Sequence, residues 1–125
     1  MEFSNNQPIY LQIADMICEK ILANTWKENE RIPSVRDLAG EIQVNPNTVM
    51  RAYTYLEEKG VIANQRGIGF FAAQGSLKET RNLRIEKLIT AELNSVFRTM
   101  DLLGLNISDL KKYYDDYKMD IVKGE

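Results

Sequence analysis

The chain has 125 residues, enough for one compact domain or a small domain with an appendage and too few for a large catalytic architecture. Its charged fraction of 27% and apolar fraction of 44% exclude a wholly disordered chain, and the absence of histidine removes histidine triads, histidine metal sites and the usual proton shuttle. With 16 basic against 18 acidic side chains the formal charge is −2, so any nucleic-acid role must rest on where particular cations sit.

No apolar run approaches the roughly 18 residues of a membrane span, and MEFSNNQP lacks a basic segment followed by an apolar one. The chain reads as cytoplasmic, with no membrane partner. The single cysteine, Cys18, cannot form an intrachain disulfide and reads as a small apolar residue within MICEKI.

In chain order, PIYLQIADMICEKILAN spaces Ile9, Ile13, Ile17 and Ile21 four apart, which predicts an amphipathic helix with Pro8 near its first turn. TWKENERIP is a polar connection with Trp26 as a packing anchor. SVRDLAGEIQ predicts a second, shorter helix, with Ser34 as N-cap, Asp37 as capping-box acid and Val35, Leu38, Ala39 and Ile42 as its apolar face. After Gln43 and Val44, a third helix runs from about Pro46 to Glu58, capped by Asn45 and burying Val49, Ala52, Tyr53 and Leu56. Two short helices joined this tightly make a helix-turn-helix. VIANQRGIGFFAA then gives two short strands around Arg66 and Gly67, a hairpin.

Beyond Gln74 and Gly75, Ser76 and Glu79 suggest another capping box, opening a helix that continues to about Leu103, about 40 Å at the helical rise. Ile85, Leu88, Ile89, Leu93, Val96, Phe97, Met100 and Leu103 alternate three and four apart, Gly104 ends the run, and a last helix begins near Ser108 with Leu110, Tyr114, Tyr117 and Ile121 on one stripe. A long helix followed by a short one cannot cover both stripes, so a second copy is expected, with these residues as the interface. Gln74 and Gly75 read as a hinge between head and tail. Tyr113, Tyr114 and Tyr117 read as filler rather than a small-molecule pocket; an unidentified small-molecule effector acting elsewhere stays open.

The start of the third helix is unusually polar. Short groups such as Asn45, Asn47 and Thr48 can hydrogen-bond base edges or phosphates, and the positive end of a helix dipole favours a nearby phosphate. Arg36, Arg51 and Arg66 come from three segments that a fold could bring to one backbone. The GIG fragment is no dinucleotide site, for it lacks the third glycine and the strand-to-helix context.

The text RIPSVRDLAGEIQVNPNTVMRAYTYLEEKGVIANQRGIGFF, residues 31 to 71, with the helix before it, resembles the winged-helix DNA-binding domain of the GntR family of bacterial transcriptional regulators. The VNPNTV start and the short tail look most like the YtrA-type branch. The resemblance implies a mostly α fold with a small β-hairpin wing: a winged helix-turn-helix over residues 1–75 and a helical dimerisation region over 76–125. It further implies a dimeric repressor on an inverted-repeat operator, often for a transport operon, with no catalytic activity and no cofactor. In the DNA-facing set it implies Ser34 and Arg36, with Arg36 on phosphate; Asn45, Pro46, Asn47, Thr48 and Arg51 at the recognition helix; and Arg66, Gly67 and Gly69 in the wing. Many members carry arginine where this chain has Pro46 and Met50, which shifts the expected readout to Asn45, Asn47 and Arg51. The alternative is a winged-helix module for protein interaction that does not bind DNA.

Overall fold

The computed structural model describes residues 1–124 and divides the chain into two compact units, Met1–Ile85 and Glu86 onward. The first unit runs past Gly75, so Gln74 and Gly75 lie inside it and do not separate the units.

In the first unit, α1 (Ile9–Leu22), α2 (Val35–Ile42) and α3 (Pro46–Glu58) precede a hairpin of β1 (Ile62–Gln65) and β2 (Gly69–Ala72). The core is where the apolar periodicities converge: Ile13, Ile17 and Ile21 of α1, Leu38 and Ala39 of α2, and Val49, Ala52, Tyr53 and Leu56 of α3 are all buried. Cys18 is buried with them, in the apolar role expected of it, and Trp26 packs partly buried against the cluster.

Helix α3 lies at the centre, in contact with both other helices and with β1. Its Tyr53, fully buried, donates a 2.7 Å hydrogen bond to the Pro33 carbonyl and meets Phe70 edge-on, ring centroids 4.9 Å apart. One side chain thereby ties the third helix to the segment leading into α2 and to the wing. Burial, reinforced by the charges of Glu41 and Asp37, pushes the Tyr53 hydroxyl pKa well up, so the phenol stays a donor.

The hairpin is antiparallel, with Ile62 opposite Ala72 and Gln65 opposite Gly69. Gly67 has φ +80°, the left-handed conformation this turn needs and glycine adopts freely. The connection after α1 is more ordered than its polarity suggested. Asn29 N–H donates to Ala72 O, Ala72 N–H to Glu30 O and Ile32 N–H to Phe70 O, so the segment runs along β2 as a short third edge.

The expected long helix forms in three pieces: α4 (Ser76–Lys87), a π-helical turn (Leu88–Glu92) and α5 (Leu93–Leu103). The π turn is marked by a hydrogen bond from Leu93 N–H to Leu88 O, and Thr90 Oγ1 donates to Glu86 O at 2.7 Å. No proline or glycine interrupts this stretch, so nothing in the spacing announced the change. The capping box at Ser76 does not form. Ser76 is already helical, its hydroxyl is buried without a hydrogen-bond partner, and the helical bonding starts from the Gly75 carbonyl, which accepts from Glu79 N–H. The first turns of α4 belong to the first unit: Ser76 and Thr80 are buried, Leu83 packs on the core, and Arg84 Nη1 lies 2.8 Å from Asp15 Oδ1.

In the second unit Gly104, at φ +70°, closes α5, and α6 (Ile107–Gly124) follows. A capping box sits here instead: Asn106 Oδ1 accepts from Asp109 N–H, and Asp109 Oδ2 from Asn106 N–H. The helix accordingly starts one residue before Ser108.

Candidate nucleic-acid interface

The turn between α2 and α3 is compact because Gln43 takes a left-handed conformation, φ +56°, letting its own N–H and that of Val44 bond back to the Ala39 carbonyl. Asn45 then caps α3: its Oδ1 accepts from Asn47 N–H at 2.8 Å, and Pro46 occupies the first helical position, where a missing N–H costs nothing. No acidic residue lies in the first turn of α3, so no carboxylate offsets the positive end of the helix dipole there.

Buried Val49, Ala52, Tyr53 and Leu56 anchor one side of α3, which leaves Asn47, Met50, Arg51 and Thr54 exposed along the other. Ser34 caps α2 by accepting from Asp37 N–H at 3.0 Å, and Arg36 follows, exposed, in the first turn. Arg66 and Gly67 are exposed at the tip of the wing. The base of the wing is fixed to α3 through the Tyr53–Phe70 contact and through Glu57 Oε2, which accepts from Asn64 N–H at 3.2 Å.

Of the sequence-predicted residues, Asn47, Thr48 and Arg51 share a cleft with Pro8, Ile9 and Tyr10. A second cleft, sharing Tyr10, Asn47 and Arg51, is lined also by Met50, Thr54, Tyr55 and Glu58. Ser34, Arg36 and the wing lie outside these two clefts.

Two residues escaped the sequence reading. Tyr10, from α1, lies under the Arg51 guanidinium, whose central carbon is 4.0 Å from the ring centroid. Arg31 lies over Gly69: a Cβ added there, at φ +142°, would come within 3.1 Å of Arg31 Nε and Nη2. Gly69 therefore seats a fourth cation against the wing, after Arg36, Arg51 and Arg66, beside its conformational role. Neither pairing had a local signal, since the partners are some 40 residues apart.

The matches to known proteins agree with this architecture. Residues 9–72 match the model of the bacterial regulatory proteins, gntR family. The chain is 31% identical over 121 residues to the HTH-type transcriptional repressor YtrA of Bacillus subtilis, covering 97% of this chain and 92% of that protein.

The chain belongs to the GntR family of transcriptional regulators.

A second relative, the HTH-type transcriptional regulator YhcF of the same organism, is 34% identical over 109 residues, covering 87% of this chain and 88% of YhcF. A crystal structure of a GntR-family regulator from Bacteroides thetaiotaomicron superposes with a TM-score of 0.74 at 45% identity, covering 90% of this chain and 98% of that one. Members of the GntR family are DNA-binding transcription regulators and not enzymes. Among the described residues, no helix is long and apolar enough to cross a membrane.

Proposed function

We propose that this GntR-family protein is a cytoplasmic, dimeric repressor that reads an inverted-repeat operator through α3 and grips the flanking backbone with its wing. The observation that carries the reading is the exposed, acid-free start of α3, where capping residues, a helix dipole and Arg51 coincide. Asn45, Pro46, Asn47 and Thr48 face the major groove, with Asn47 suited to bidentate bonds to adenine. Ser34 and Arg36 from α2, and Arg66 and Gly67 from the wing, hold phosphates and set the register without carrying sequence information. Gly69, and the Arg31 it seats, add to the grip of the wing.

We place the DNA-binding head in residues 1–75 and the dimerisation region within 76–125, whose first helical turns pack on the head. Leu88, Ile89, Val96, Phe97, Leu103, Tyr114, Tyr117 and Ile121 are exposed and Ile85, Leu93 and Leu110 partly so, while Met100 is buried within the single chain. Leu102 at 82% exposure, with Ile107 and Val122, extends the apolar surface beyond the predicted stripes. Exposed apolar area of this extent on a small helical unit supports burial against a second copy, and a twofold dimer presents two recognition helices about 34 Å apart. The family resemblance extends the reading to a neighbouring transport operon, which the operator sequence would locate.

Selection of sites from a random duplex library at near-physiological salt tests this. Enrichment of an inverted repeat is expected, with R36A, R51A and R66A each weakening binding and each lowering the salt slope by about 1. A folded, dimeric protein that enriches no duplex would overturn the reading in favour of a protein-interaction module. Unchanged affinity in all three arginine variants would overturn the site assignment.

A further inference from the structure

We infer that Tyr10 is a positioning residue for Arg51, holding its guanidinium flat so that the N–H rim is presented to DNA already ordered. The inference rests on the DNA-binding reading above for its use and on the geometry of the free protein for its existence.

An arginine on an exposed helix face ordinarily samples many rotamers, and freezing it on binding costs affinity. Here the central guanidinium carbon lies 4.0 Å from the Tyr10 ring centroid, within the distance at which a cation is attracted to the face of an aromatic ring. A guanidinium lying parallel to the ring at this distance keeps its five in-plane N–H donors free, the edge that bonds phosphate or the acceptor edge of guanine. Arg51 is exposed and borders both clefts.

The ring is itself held. Tyr55 of α3 meets Tyr10 edge-on, with centroids 6.2 Å apart and planes at 80°, and Lys59 Nζ lies 5.8 Å from the Tyr55 centroid. Tyr10 is half-buried and Pro8 caps the start of its helix, so the ring belongs to the framework of the head rather than to a loose arm. Its contribution is made through Arg51.

The test needs a variant without an aromatic face and a conservative partner that keeps one. Y10L retains apolar bulk but cannot stack; Y10F retains the face and loses only the hydroxyl. In the free, full-length protein, ¹⁵Nε relaxation should show the Arg51 side chain ordered in wild type and Y10F and mobile in Y10L. On a duplex selected by the wild type, Y10L should bind about 5-fold more weakly and Y10F within about twofold, and Y10L should cost nothing further in an R51A background. Equal Arg51 mobility in wild type and Y10L would overturn the inference, as would additive losses in the double variant. Should Y10L prove unstable, Y10M poses the same question. Failure to select any duplex would overturn the DNA-binding reading and the use assigned to the stack, while the relaxation arm would still decide whether Tyr10 orders Arg51.

Discussion

Asn45 caps α3 and is proposed to read a base with the same side chain, and substitution can separate the two roles. Its Oδ1 accepts from Asn47 N–H, so N45A should lower stability by about 1 kcal/mol while N45S, which also caps, stays within a few tenths. Both should lose operator affinity if the amide also reads a base, since serine is too short to reach where asparagine does. Denaturant melts alongside operator titrations check this, and N45S with wild-type affinity would reduce Asn45 to a cap. Tyr53 illustrates the opposite case, a buried side chain with no route to DNA that sets the geometry of those that have one. Y53F removes its bond to Pro33 O and should cost about 1 kcal/mol at neutral pH. The folded pKa is raised above the ordinary 10.0, so the neutral phenol persists in the native state where the unfolded chain ionises. The associated stabilisation is complete below pH 10.0 and is lost as pH rises beyond it; the stability difference between wild type and Y53F should therefore shrink above that pH. A difference that stays constant to pH 11 would rule this out.

Among the elements, the wing has the most exacting backbone. Gly67 has open space where a Cβ would stand, so G67A meets only the cost of a left-handed φ, on the order of 1 kcal/mol. At Gly69 the same substitution adds a contact of 3.1 Å with the Arg31 guanidinium. G69A should therefore displace Arg31 and reduce operator affinity more than G67A does, and R31A should leave little further for G69A to remove. Paired titrations of the four proteins against one operator measure it. The helical tail contains a second irregular element, the π turn at Leu88–Glu92, where Thr90 Oγ1 occupies the Glu86 carbonyl. A turn closed by a hydrogen bond five residues apart rather than four shifts which side chains share a face beyond it, so the apolar stripe read at strict three-and-four spacing across this region is not one straight line.

For the whole molecule the decisive quantity is the exposed apolar area of the second unit. Phe97 is 41% exposed within the run containing Val96 and Leu102. A charge placed there would be buried unpaired in a dimer, so F97E should give a monomer by sedimentation at concentrations where the wild type is twice the chain mass. Loss of bivalency should then weaken binding to the full inverted repeat by on the order of a hundredfold, with half-site binding little changed. A dimeric F97E protein with wild-type affinity would remove this face from the interface. The first unit also extends beyond the hinge read at Gln74 and Gly75, because Ser76, Thr80 and Arg84 are packed into it. Truncation after Gly75 would strip the Arg84–Asp15 pair and uncover part of the core.

The sequence by itself determined the first three helices and the hairpin of the head. Apolar residues at intervals of three and four, caps at Ser34 and Asn45, and glycine at the hairpin turn are local signals, each set by backbone sterics and hydrogen bonding within a few residues. The same locality explains the exposed polar start of α3, which is the complement of its buried face. Tertiary structure alone decided that Tyr10 lies beneath Arg51, that Arg31 covers Gly69 and that Asp15 pairs with Arg84. These contacts join residues far apart along the chain, and they depend on how helices and strands pack rather than on any period the chain carries. The missing cap at Ser76 has the same origin: the packing of that helix turn against the head outweighs both the lost capping bond and the cost of burying an unpaired hydroxyl.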